Sequence, residues 1–344
     1  MDQTAVELLI KGYNREKLTR EDCLYLLKFQ EFSPEAIFTR DLFSRFFREN
    51  CNNTAEVGAQ IGVYTGPCSG DCGFCNFGAS HSNAKQYEMP FDTLKRYLDE
   101  CTRYGDVRAV SLMTTHDCPN DLLVKYVEFT KEHILPGMMI MINTGDRTEK
   151  EFRELKKAGA DSAYHVCRMG EGKDTSLAPE ERYRTMKNIK DAGLSLFTCT
   201  EPIGSEHSDE DIVNNYFRGL ETGCDCGHAA LRMPVFGTPL GGVPTLSIKR
   251  YRQIQSVLGL ATAWHSGGKR VTGWDTGYYT GDNSLSAELA ASPRDSGIIS
   301  EKSMGHDLAW CRRTLFGDGY DKIIMADGSV KPLDLDHLRT TKSI

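Results

Sequence analysis

The stretch GPCSGDCGFCNFG, residues 66–78, places Cys68, Cys72 and Cys75 within eight positions. Thiolates are soft ligands, and three on one short loop can converge on a single metal centre. Gly66, Gly70 and Gly73 let the backbone wrap such a centre without Cβ clashes. A structural zinc ion wants four protein ligands, usually as two separated pairs, and no fourth is evident beside these three. Three ligands with one open position suit a [4Fe–4S] cluster whose fourth iron binds something exogenous. The plainer alternative is three buried thiols with no metal.

Such a loop needs elements to hold it. From residue 57 onward, short apolar runs alternate with longer amphipathic ones. Strands are expected at 57–66, 109–115, 138–143, 162–168, 195–202, 228–235, 269–274 and 284–290, with helical patterns between them. Repeated βα units build a parallel sheet, and eight of them predict an α/β fold with a complete (β/α)8 TIM-type barrel over residues 56–320. Residues 1–55 read as a helical N-terminal extension, with Thr19 and Ser33 as N-caps, and residues 321–344 as a C-terminal tail packed on the barrel. Barrel chemistry gathers where strands end, so a loop directly after the first strand sits at the active mouth.

Composition narrows the partners. The 344 residues are 40% hydrophobic and 26% charged, and 41 basic against 48 acidic residues give a net charge of −7. With no long basic run, a nucleic acid or an anionic membrane is not expected as the main partner; a small molecule is. The N-terminus lacks the apolar core of a secretion signal, and no run of about 18 apolar residues suggests a membrane span. A cytoplasmic location follows as the expectation. Twelve cysteines are too few in this length for a disulfide-built scaffold, and cytosolic thiols remain available to metals.

Cys68-x3-Cys72-x2-Cys75, with Phe74 before the last cysteine, resembles the signature of the radical S-adenosylmethionine (SAM) superfamily. That resemblance implies a [4Fe–4S] cluster on the three cysteines and SAM chelated to its open iron. It implies reductive cleavage of SAM to a 5′-deoxyadenosyl radical, and a reduced ferredoxin or flavodoxin as electron donor. The resemblance extends over most of residues 50–320 to the biotin synthase-like branch, which includes biotin synthase, the hydrogenase diiron maturase and methylornithine synthase. Three stretches carry it: ERYRTMKNIKDAGL, EPIGSEHSDEDI and MPVFGTPLGG, the last matching the family's GTPL at Gly237 to Leu240.

By this resemblance Arg182 pairs with the methionine carboxylate, and Glu171, with Asp174 in reserve, binds the ribose hydroxyls. Phe74 contributes its backbone. The branch's Gly-Gly-Glu at the end of strand two is replaced here by Met113-Thr114-Thr115, whose hydroxyls can accept from the methionine ammonium. The inward cysteines that hold biotin synthase's sulfur-donating cluster are not matched: MMIMIN has none, Cys199 is displaced by two places, and Cys118 lies beyond its strand. Sulfur insertion is therefore disfavoured, though it stays as an alternative.

Other polar residues near the strand ends frame a substrate site. Arg168 follows strand four, Glu201 ends strand five, and Arg232 sits among apolar residues where it needs an anion: a substrate carboxylate, Glu201 or Glu288. His165 reads as a satisfied barrel residue rather than a base, and Cys224-Asp225-Cys226 with His228 as structural. Asn143, Trp274, Asp275 and Glu288 complete the ring of candidates. The expected activity is hydrogen abstraction from a small, anionic substrate, followed by rearrangement, C–C or C–S cleavage or methyl transfer. An iron–sulfur electron carrier and a zinc-stabilised hydrolase are the rivals from other classes. The first would cleave no SAM, and the second would be colourless.

Overall fold

The computed structural model describes residues 1–263, 283–293 and 305–342. Three helices come first, α1 (Gln3–Tyr13), α2 (Arg20–Leu27) and α3 (Pro34–Asn50). Then follow β1 (Thr54–Thr65), the short β2 (Tyr87–Glu88), α4 (Phe91–Thr102), β3 (Val107–Thr114), α5 (Asn120–His133), β4 (Met139–Asn143), α6 (Glu149–Ala158), β5 (Ser162–Tyr164) and α7 (Pro179–Asp191). β6 (Ser195–Ile203), α8 (Asp209–Glu221), β7 (Cys226–Leu231), α9 (Ile248–Thr262) and β8 (Ser284–Ala290) continue the alternation. The chain ends on α10 (Leu308–Gly317), β9 (Lys322–Ile324), β10 (Val330–Pro332) and α11 (Leu335–Thr340).

The strands β8, β1, β3, β4, β5, β6 and β7 pair in that order, all parallel. The last strand thus lies beside the first, and the sheet curls around a central space. Among the described residues the strands form a curled, parallel sheet in which β7 and β8 do not pair, and the closure expected from eight βα repeats depends on the strand expected between them. The strand expected at 269–274, with Trp274 and Asp275, lies outside the described residues. β5 also stops at Tyr164, short of the expected 168. The reason is local: the Val166 carbonyl accepts from Arg182 Nε at 3.1 Å and the Cys167 carbonyl from Asn215 Nδ2 at 2.9 Å, so neither is free for a ladder.

The two-residue period of a strand sorts the side chains. Val57, Ala59 and Ile61 of β1, Val110 and Leu112 of β3, and Ile140 and Ile142 of β4 are fully buried in one apolar core under the helices. The alternate residues Gln60, Ser111, Met113, Met141, Asn143, Tyr164, Phe197 and His228 line the central space. Met141, Phe197 and Cys226, with Tyr164 against them, form a small apolar plug there.

Helix starts follow from capping. Thr19 with Asp22, Thr148 with Glu151 and Ser208 with Asp211 are reciprocal capping boxes, and Ser33 caps α3 ahead of Pro34. Helices α1 to α3 pack on α8 and α9 through a second apolar cluster that includes Leu9, Phe43, Phe46, Ile254 and Leu258. At the other end Arg312 forks onto Asp106 with two bonds of 2.7 Å, and His337 reaches Asp106 at 3.0 Å, which fastens α11 to the start of β3. No helix among the described residues is long and apolar enough to cross a membrane.

Candidate functional site

The cysteine loop leaves the C-terminal end of β1 through Gly66, whose φ of 146° lies where a Cβ is disfavoured. Backbone bonds then tie the loop to segments that follow four other strands. Gly73 N donates to Asp174 O at 2.8 Å and Ser176 N to Gly70 O at 2.9 Å, both after β5. Leu240 N, after β7, donates to Gly73 O at 2.7 Å, and Asn76 N donates to Pro293 O, after β8, at 2.8 Å. After β3, Asp117 Oδ2 accepts from Ser69 N at 2.7 Å. The Gly237 to Leu240 segment is thus a structural partner of the cysteine loop.

Cys68, Cys72 and Cys75 line one cavity of about 110 Å³. Two sulfurs accept from backbone N–H groups at 3.4 Å: His116 N to Cys68 Sγ and Phe77 N to Cys75 Sγ. Burial pushes the Cys72 thiol up to about 11 and the Cys75 thiol up to about 12, with neighbouring sulfurs adding to it and Arg168 opposing. A bound cation inverts that balance, because a coordinating thiol is deprotonated outright. Among the described residues no three His, Cys, Asp or Glu side chains converge tightly enough for one metal ion. Three thiols spaced around a common cavity instead suit a multi-iron group.

The same cavity holds two of the expected SAM residues in unfinished bonding states. Thr115 Oγ1 is buried with no partner, whereas Thr114 Oγ1 bonds Thr144 Oγ1 at 3.1 Å. Arg182, 3% exposed, has Nη1 2.9 Å from Asp146 Oδ2 but without hydrogen-bond alignment. A buried hydroxyl and a buried guanidinium nitrogen facing one cavity fit a polar ligand there.

Asp146 is the residue that sequence reasoning missed. It sits in the loop after β4, outside every motif singled out from the sequence. Its carboxylate gathers Arg182, Thr185 Oγ1 at 2.7 Å and His165 Nε2 at 3.1 Å. Burial works against its charge, but His165, Arg182 and Thr185 hold the carboxyl well below the usual range. His165 is pushed down to about 3 by burial and the nearby Arg182 charge, so it is a neutral structural donor. Glu171 does not line the cavity. Its carboxylate accepts from Arg168 N at 2.8 Å and Thr175 Oγ1 at 2.7 Å, with Arg182 Nε 3.5 Å away. That carboxylate is therefore spent on its own loop, which departs from the expected ribose contact.

A larger cavity, of about 200 Å³, adjoins the first and shares Cys72, Cys75, Met113, Asn143, Arg168 and Pro293 with it. Phe74, Glu201 and Arg232 line this second space. The Arg168 guanidinium stands 6.0 Å from the Phe74 ring centroid. Burial opposes its charge, but the Cys72 sulfur, Glu171, Glu201 and Tyr164 together keep it firmly protonated. Arg232 differs from expectation. Its anion is Glu206 rather than Glu201 or Glu288, and its Nη2 donates to Val243 O and Pro244 O at 3.1 and 3.0 Å. Only Nε is buried without a partner, so most of this guanidinium serves the loop after β7. His228 proves to face the cavity from β7.

Residues 63–217 match the radical SAM superfamily model. The chain is 26% identical over 266 residues to the biotin synthase of Aquifex aeolicus, covering 72% of this chain and 76% of that protein. It is 27% identical over 268 residues to the biotin synthase of Sulfurihydrogenibium sp., covering 72% and 75%. Among solved structures the fold matches methylornithine synthase (PylB) with a TM-score of 0.76 at 17% identity, over 97% of this chain and 100% of that one. It matches HydG, a maturase of the [FeFe]-hydrogenase, with a TM-score of 0.73 at 14% identity, over 93% and 76%. Radical SAM enzymes bind a [4Fe–4S] cluster and SAM. With a glycine-rich three-cysteine loop at the strand ends, a polar cavity against it and these relatives, residues 63–217 form a radical SAM region and the chain is similar to the biotin synthases.

Proposed function

We propose that the enzyme abstracts hydrogen from a small, charged molecule held in the larger cavity, and that rearrangement, C–C or C–S cleavage or methyl transfer follows. Cys68, Cys72 and Cys75 would hold the cluster. Arg182, oriented by Asp146, would receive the methionine carboxylate of SAM, and Thr115 Oγ1 would accept from its ammonium, Thr114 being already bonded. The Phe74 backbone and Glu171 keep only supporting parts, Glu171 by shaping the loop that carries Arg168. Arg168 and Glu201 would contact substrate, and Arg232 would shape its chamber. When bound, the cluster and SAM supply a 5′-deoxyadenosyl radical, and the protein's share is to position both reactants and exclude water.

The observation that carries this reading is the pair of adjoining cavities, one lined by all three cysteines and the other by unspent polar side chains, with Arg168 on both. Sulfur insertion has weaker support: Cys118 is packed in the outer core, while Cys199 lies in β6 behind the larger cavity. We read residues 56–320 as the catalytic unit, 1–55 as a supporting extension and 321–344 as a tail. Twelve free cysteines favour a cytoplasmic setting with a reduced ferredoxin or flavodoxin as donor. The test is anaerobic reconstitution with iron and sulfide, reduction, addition of SAM and chromatography for 5′-deoxyadenosine. Nucleoside formation with about four irons per chain, both lost in Cys72→Ala, is the expected result. Full iron with no cleavage of SAM would return the electron-carrier reading.

A further inference from the structure

The enclosed arginines other than Arg168 have their guanidinium groups engaged: Arg147 donates to the Cys118 carbonyl and the Thr144 hydroxyl, and three more are paired with carboxylates. Arg182 has Asp146, Arg232 has Glu206, and Arg312 has Asp106. Arg168 differs: among the described residues its guanidinium has neither an ion pair nor a hydrogen bond, although it lines both cavities. Glu201, on the same wall, has no basic partner among the described residues either, and its neighbour is the Tyr164 hydroxyl. The two charges feel one another, since Glu201 helps to keep Arg168 protonated, yet they stand more than an ion-pair distance apart. Two opposite charges enclosed side by side without pairing are costly unless something between them engages both.

We propose that the occupant of the larger cavity is a free α-amino acid, with its carboxylate on Arg168 and its ammonium on Glu201. A purely anionic molecule would gain Arg168 but meet repulsion from Glu201. A purely cationic one would do the reverse, and a neutral one would desolvate both charges for nothing. A zwitterion whose charges flank one carbon engages both. Further in, the side chains of His228, Gln60 and Ser111 also lack hydrogen-bond partners among the described residues. Burial pushes His228 down to about 4, so it meets a ligand as a neutral imidazole. These three groups face the amino acid's side chain and favour one that carries a hydrogen-bonding group. The inference rests on the reading that this cavity is the substrate chamber.

The test uses the anaerobic holoenzyme with saturating SAM, dialysed against a mixture of the proteinogenic L-amino acids, with mass spectrometry of what is retained. One or a few amino acids should be retained. On wild type each should bind at least about tenfold tighter than its decarboxylated amine or its deaminated acid, the scale of one charge-assisted hydrogen bond. Arg168→Gln should weaken the amino acid about tenfold and leave the amine unchanged; Glu201→Gln should weaken it likewise and leave the acid unchanged. Retention of no amino acid, equal binding of the analogues, or unchanged affinity in both variants would overturn the proposal. So would displacement of the amino acid by raising SAM, which would assign the charge pair to SAM itself. If a variant fails to fold, the analogue series on wild type still decides. Amino-acid binding without formation of 5′-deoxyadenosine would instead remove the radical reading and leave the binding site standing.

Discussion

Asp146→Asn removes one charge and almost no volume, so it isolates the electrostatic share of the Arg182 site. In the native protein the carboxylate lies 2.9 Å from Arg182 Nη1, 3.1 Å from His165 Nε2 and 2.7 Å from Thr185 Oγ1. The amide oxygen can still accept from Thr185 and His165, but Arg182 keeps only Glu171, 3.5 Å away. Breaking an enclosed ion pair from one side costs about 3–5 kcal/mol, and the remaining carboxylate places this case near 3 kcal/mol. An unfolding entropy of about 2.1 cal/mol/K per residue over 344 residues converts that into a fall in melting temperature of about 4 °C. The assay is thermal unfolding of wild type, Asp146→Asn, Arg182→Gln and the double variant. Coupling between the two sites should exceed about 1 kcal/mol. The sign with pH is also fixed. The folded carboxyl lies below its unfolded value of about 3.9, so the stabilisation is complete above that pH and fades as pH falls. The wild type and the Asn variant should converge only in acid. Additive losses, or a gap between them that closes near neutral pH, would refute the assignment of Asp146 as the residue that orients Arg182.

Four further outcomes are expected. Thr115→Val removes a buried hydroxyl that has no partner, so melting without SAM should rise by the equivalent of about 1 kcal/mol while SAM affinity by equilibrium dialysis falls; parallel changes would dismiss Thr115 as a ligand. Asp106 is held down to about 2 by His337 and Arg312 against the cost of burial, so its support of α11 should persist above about pH 4 and vanish as pH falls through 2, read by hydrogen exchange in residues 335–340. Asp106→Asn should cost about 3–5 kcal/mol at neutral pH in denaturant unfolding, because Arg312 is left buried and unpaired. Gly62→Ala would put its Cβ 2.3 Å from Ala291 O, so reconstituted protein should bind less iron and melt lower by about 1–3 kcal/mol; unchanged iron would mean that the β1–β8 seam does not support the cysteine loop.

What the sequence made legible was whatever depends on neighbours along the chain. The cysteine spacing, the βα alternation and the N-caps Thr19 and Ser33 are local patterns, and β8 falls on the expected 284–290. Pairings across the fold were not legible. Nothing near Arg232 marks Glu206 as its anion, because the two meet only when the segment after β6 folds against the end of β7. Asp146 and Arg182 come from loops and helices that follow different strands. Glu171 was placed in the right loop, but whether a carboxylate is spent or available depends on Thr175 and on the Arg168 backbone, which spacing does not reveal. Likewise His228 reads from the sequence as structural beside Cys224 and Cys226, and only the two-residue alternation of β7, once its register is fixed, turns it to the cavity.

The stitching of the cysteine loop also bears on when the protein can acquire its cluster. The backbone partners of residues 69–76 are contributed by residues 117, 174, 176, 240 and 293, so the loop is closed by contacts spanning most of the chain. Contacts so distant in sequence form late, after the costly loop closures between them. Domains emerge from the ribosome N-terminal end first, and Pro293 follows Asn76 by most of a domain's length. The three thiols therefore spend much of synthesis on an unstitched segment, exposed to oxidation and to stray metals. The loop's framework is thus complete only once residue 293 has been made, and a chain truncated before it should carry the whole motif yet hold iron poorly.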